Sequence, residues 1–96
     1  MDFEKLKEFG RMNALIHLQV YNDIYGEGNV RALLEYGDFD SEENKNKEHK
    51  IEAEGFRYIE NFMFGTFGED KLTGRIVLFL KNGIEVKHDS TEKPLT

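Results

Sequence analysis

The stretch RIVLFLKNGIEVKHD, residues 75–89, restricts the fold more than any other. Five apolar residues in a row, Ile76 to Leu80, leave a strand no face to give to water, so it belongs in the interior of a sheet. Asn82-Gly83, directly after Leu80-Lys81, is a hairpin signal, because a tight two-residue turn needs positive φ at its central positions. The reading is therefore a hairpin. Its second strand alternates Ile84 and Val86 with Glu85 and Lys87, as a charged edge strand does. An interior strand also needs a cover for Ile76, Leu78 and Leu80.

The N-terminus offers that cover. In DFEKLKEF (2–9), Phe3, Leu6 and Phe9 stand at i, i+3 and i+6 with charges between them. Asp2 suits a cap and Gly10 a stop, which predicts a short amphipathic helix. Ala14, Ile16, Leu18 and Val20 alternate with Leu15, His17, Gln19 and Tyr21, which reads as a strand buried on two faces. Val30 to Tyr36 alternates and reads as another strand. A second helix near 29–37, with Asn29 as cap and Gly37 as stop, is the alternative. DFDSEENKNKEHK (38–50) reads as a polar loop. Residues 51–64 alternate again, and their phase changes at Gly55, where a β-bulge is expected. The predicted class is α+β: a short N-terminal helix on an antiparallel meander sheet of about five strands. Residues 1–89 form one domain and 90–96 a flexible tail.

Composition narrows the chemistry. Ninety-six residues hold a single core. There is no cysteine, so disulfides, thiolate metal sites and cysteine nucleophiles are excluded, which suits a cytoplasmic location. The start is not a secretory signal, and no apolar run approaches the roughly 20 residues that span a bilayer. No membrane association is expected. The net charge is −6, and the excess concentrates between residues 25 and 48. Such a chain repels phosphate backbones, so nucleic acid is disfavoured and a basic protein surface favoured.

No catalytic constellation emerges. His17, His49 and His88 stand on separate segments without metal-ligand spacing. Ser41 and Ser90 lie in polar segments outside any strand–turn–helix elbow. Gly26-Glu27-Gly28 lacks the third glycine of a dinucleotide loop. Asp38, Asp40, Glu42 and Glu43 alternate oxygen ligands, but a calcium loop starting at Asp38 would need Gly at 43 and Glu at 49, where Glu43 and His49 stand. Neither a cofactor nor a metal is expected. With Glu35, these four acids form the candidate partner-binding cluster.

Aromatic residues supply the alternative. The window Glu54 to Asn61 resembles the signature strand of the RNA-recognition motif at Gly55, Phe56, Tyr58 and Ile59, and departs from it at Glu54, Arg57 and Asn61. The resemblance implies single-strand binding by stacking on Phe56, Tyr58, Phe62 and Phe64. The competing reading, which the size of aromatic burial favours, places those rings in the core. The expected function is a non-catalytic, acidic protein-interaction module acting as adaptor, regulator or inhibitor, with self-association open to it. Single-stranded nucleic-acid binding is the alternative, and a small hydrolase or metal enzyme the second.

Overall fold

The computed structural model describes residues 3–37, 39–67 and 72–87. Its first element, α1 (Phe3–Tyr25), is one helix of 23 residues, about 34 Å long at 1.5 Å per residue. It runs through Gly10, where a stop was expected, and through the stretch read as a two-sided strand. The use made of Gly10 explains the first difference. A Cβ at that position would run into the ring of Phe64 and the hydroxyl of Tyr36. The glycine serves close approach of helix to sheet rather than termination. Leu6 before it and Ala14, Leu18, Tyr21 and Tyr25 after it line the side that faces the sheet. Met12, Leu15, Ile16 and Val20 form a second apolar side pointing outward. A helix that is apolar on two sides imitates a strand buried on both faces.

Crowding at Gly10 gives a first prediction. Gly10→Ala gains about 1 kcal/mol of helix propensity but adds a methyl where overpacking costs about 1–3 kcal/mol. The net expectation is a lower denaturant midpoint, largely restored by adding Phe64→Leu. A Gly10→Ala chain more stable than wild type would show that propensity outweighs close approach.

β1 (Val30–Tyr36), β2 (Phe56–Phe67) and β3 (Leu72–Lys81) form an antiparallel sheet in the order β1-β3-β2. Strand, not helix, is the state of 30–36. β3 is central, and Ile76 to Leu80 are all buried, as the apolar run required. Central placement also undoes the predicted hairpin. Asn82 and Gly83 do make a turn, with Gly83 at φ 92° and the Ile84 N–H on the Lys81 carbonyl at 3.3 Å. Both edges of β3 are already occupied by β1 and β2, so residues 84–87 cannot fold back on β3 as a hairpin strand. The described residues therefore hold three strands, not about five, and the order is not a meander.

The polar segment after β1 is the other correction. α2 (Glu42–Ala53) occupies most of the expected loop and the start of the expected strand at 51. The Ser41 hydroxyl accepts from the Asn44 N–H at 3.2 Å, Glu42 and Glu43 stand at the positive end, and Lys50 at the negative end. Gly55, at φ 96°, ends the helix in the left-handed conformation and donates to the Glu52 carbonyl at 3.0 Å. The phase change at Gly55 is thus a helix-to-strand junction, not a bulge. The register shifts of β2 come later, where Ile59 and Phe64 are each one residue more than β3 matches.

Alternation along the strands sorts the sheet into two faces. Val30, Leu34, Ile76, Leu78, Leu80 and Phe62 look toward α1. Arg31, Leu33, Glu35, Arg75, Val77 and Phe79 look the other way. On that side Arg31 pairs with Glu54 and Arg75 with Glu48, which ties α2 to the second face. The architecture is helix, sheet, helix. The tail predicted at 90–96 lies outside the described residues.

Candidate protein interface

The acidic cluster divides by depth. Glu35 is 1% exposed. One of its carboxylate oxygens, Oε2, accepts from Arg75 Nε at 2.6 Å, while Arg75 Nη2 donates to Glu48 at 3.0 Å. The guanidinium also lies 4.5 Å from the centre of the Phe39 ring. The other oxygen of Glu35, Oε1, is buried and has no hydrogen-bond partner. Burial raises the Glu35 carboxyl above its ordinary range; Arg75 pulls it down, and Glu48 adds a smaller push upward. Asp40, Glu42 and Glu43 are exposed, and Glu43 pairs with Lys47 one helical turn on, at 3.5 Å. Asp38 lies outside the described residues.

Between the end of β1 and the first turns of α2 is an open hollow of about 280 Å³, lined by Glu35, Tyr36, Ser41, Glu43, Asn44 and Lys47 among others. Buried Glu35 and exposed Glu43 share that wall. Asp40 and Glu42 flank it in sequence, one on each side of Ser41. The sequence placed Asp40, Glu42 and Glu43 in a loop; the fold instead mounts Glu42 and Glu43 on the first turn of α2.

The four rings considered for stacking do not share a face. Phe56 and Tyr58 pair with Lys81 and Phe79 on the α2 side. Arg31 lies 4.9 Å over Phe56, and Tyr58 meets Phe79 edge-on. The extra residue at Ile59 turns the next part of the strand over, so Phe62 and Phe64 look toward α1. There Phe62 stacks on His17 at 4.3 Å, and Phe64 packs against Tyr36 and Phe9. Tyr58 is the ring left most open, and its hydroxyl accepts from Asn61. His49 is exposed on α2, and His88 lies outside the described residues. Among the described residues, no three His, Cys, Asp or Glu side chains gather as metal ligands.

One surface escaped the sequence reading altogether. On the outer side of α1, Phe9, Met12, Leu15, Ile16 and Val20 are each between 44% and 63% exposed. The available signal was that same apolar repeat, which the expectation of a two-sided strand hid. Among the described residues no helix is long and apolar enough to cross a membrane. Compared with known proteins, the chain matches no family model, no curated protein and no solved structure.

Proposed function

We propose that this chain is a non-catalytic protein-binding module, an adaptor, regulator or inhibitor, whose partner presents a basic surface. The observation that supports this reading is the grouping of acids where β1 meets α2. Glu35 is held charged-side-inward by Arg75, and Glu43 lines the same hollow. Asp40 and Glu42 add exposed carboxylates beside it. Part of this charge serves α2 itself, since acids favour a helix N-terminus. Complementary charge speeds and orients encounter with a lysine- or arginine-bearing surface.

The test is charge reversal. Asp40→Lys, Glu42→Lys and Glu43→Lys together should lower partner capture from the native host at least about tenfold, with binding by wild type weakening as salt rises. Some stability is lost with the helix-end acids, about 0.3–1 kcal/mol for each, so a melt confirms that the variant is folded. Undiminished capture by the folded triple variant would leave these acids as solvated surface only.

A further inference from the structure

The outer side of α1 carries a seam that matches itself. Lys5, Phe9, Met12, Ile16, Gln19 and Asp23 are spaced alternately four and three residues apart, the 3.5-residue repeat along which one helix packs on another. All six are exposed, and all but Phe9, whose ring also meets Phe64 at the edge of the sheet, lie on the side away from Leu6, Gly10, Tyr21 and Tyr25, which are buried. Residue 14 is the midpoint of the seam. Turning a second helix end for end about that level places Met12 against Ile16, Phe9 against Gln19, and Lys5 against Asp23. Each pair occurs twice, as a two-fold axis demands. The result has an apolar centre with ion pairs at its rim, the usual anatomy of a protein interface. Parallel pairing would instead stack Lys5 on Lys5 and Asp23 on Asp23. Leu15 and Val20 flank the seam and extend its apolar width.

We infer that α1 is a homodimerisation helix, and that its outer face is covered by the α1 of a second copy running antiparallel. Two domains meet back to back through their helices, leaving the acidic ends of both α2 helices free. The occupant is set by the seam: the charge order that repels a parallel copy attracts an antiparallel one. Five large apolar side chains on one side of a helix form a patch of the kind that marks a contact surface.

The absence of cysteine makes the register directly testable. Purified wild-type protein is examined by sedimentation equilibrium up to about 200 µM. A monomer–dimer equilibrium is expected. Ile16→Glu, at an exposed position, should raise the dissociation constant about 100-fold, as loss of a central interface residue does. Lys5→Glu and Asp23→Lys should each weaken the dimer about fivefold, in keeping with rim ion pairs. The double exchange Lys5→Glu with Asp23→Lys should return it to near wild type. Oxidising a mixture of Lys5→Cys and Asp23→Cys chains should yield the mixed disulfide, because in the antiparallel dimer like positions stand about 27 Å apart along the axis. Any of three results would overturn the inference: a wild-type monomer at every concentration, which assigns the face to another partner; a dimer indifferent to Ile16→Glu; or disulfides only between like positions.

Discussion

Arg75→Ala is expected to lower the unfolding free energy by about 3–5 kcal/mol at neutral pH, the range for removing one partner of a buried ion pair. For a domain of this size that is a large share of the total. Glu35 is fully enclosed, and its Oε1 already lacks a hydrogen-bond partner. Without the guanidinium its charge would have no compensation, Glu48 would lose its donor, and Phe39 would lose the cation over its ring. Replacing both partners separates the value of the pair from the harm of breaking it. Glu35→Leu with Arg75→Met should lie close to wild type or above it, because apolar packing replaces a buried pair at little cost. Urea unfolding of the three chains decides. A loss below about 1 kcal/mol for Arg75→Ala would place the stability of this face elsewhere.

The same cluster sets a pH dependence of defined sign. Because burial raises the Glu35 carboxyl, the folded chain holds that proton more tightly than the unfolded one. Its contribution to stability is fully present below the ordinary carboxyl value and is lost as pH climbs through the raised one. Arg75 is the main influence opposing the rise, so Arg75→Ala pushes the carboxyl higher still. The stability gap between Arg75→Ala and wild type should therefore narrow as pH falls from 7 toward the ordinary carboxyl range. Adding Glu35→Gln to the variant should abolish that narrowing.

What was legible in the sequence follows physical lines. Ile76 to Leu80 announced an interior strand because five apolar residues in a row leave a strand no face for water, and the Asn82-Gly83 turn bounds the run. Val30 to Tyr36 was legible because its apolar residues Val30, Ala32, Leu34 and Tyr36 recur with a period of two. The continuation of α1 past Gly10 was not, since a glycine serving close packing looks the same as one serving termination. α2 was hidden by polarity: among its residues only Asn44 is buried, so no apolar stripe reveals it. Ser41, Glu42, Glu43 and Lys50 were the legible signs, in their capping and dipole positions. The Glu35–Arg75 pair joins residues 40 apart in the chain. It follows from the pairing of β1 with β3, which two short segments do not encode by themselves. The acidic cluster was named residue by residue, yet the depth that separates Glu35 from Glu43 is a property of the fold alone.

That second, hidden layer can be tested through adjacent positions in β3. Leu78 and Phe79 are both fully buried but point to opposite faces of the sheet, Leu78 toward α1 and Phe79 toward the side on which Arg31 and Arg75 pair with Glu54 and Glu48. Truncating either one removes apolar contacts and leaves a cavity: about 2–5 kcal/mol for Leu78→Ala and about 3–5 kcal/mol for Phe79→Ala. A sheet covered only by the N-terminal helix would answer differently. There Phe79 would sit at a solvent-facing position, where substitution costs no more than about 0.5 kcal/mol. The comparison thus reads out whether α2 packs, independently of any assay for helix content. Ser41→Ala sharpens it. Loss of the cap should cost about 1 kcal/mol; a smaller penalty for Phe79→Ala in that background, with that of Leu78→Ala unchanged, is the outcome expected if α2 as a whole closes the second face. Equal penalties in both backgrounds would show that the second face is closed by something other than the first turns of α2.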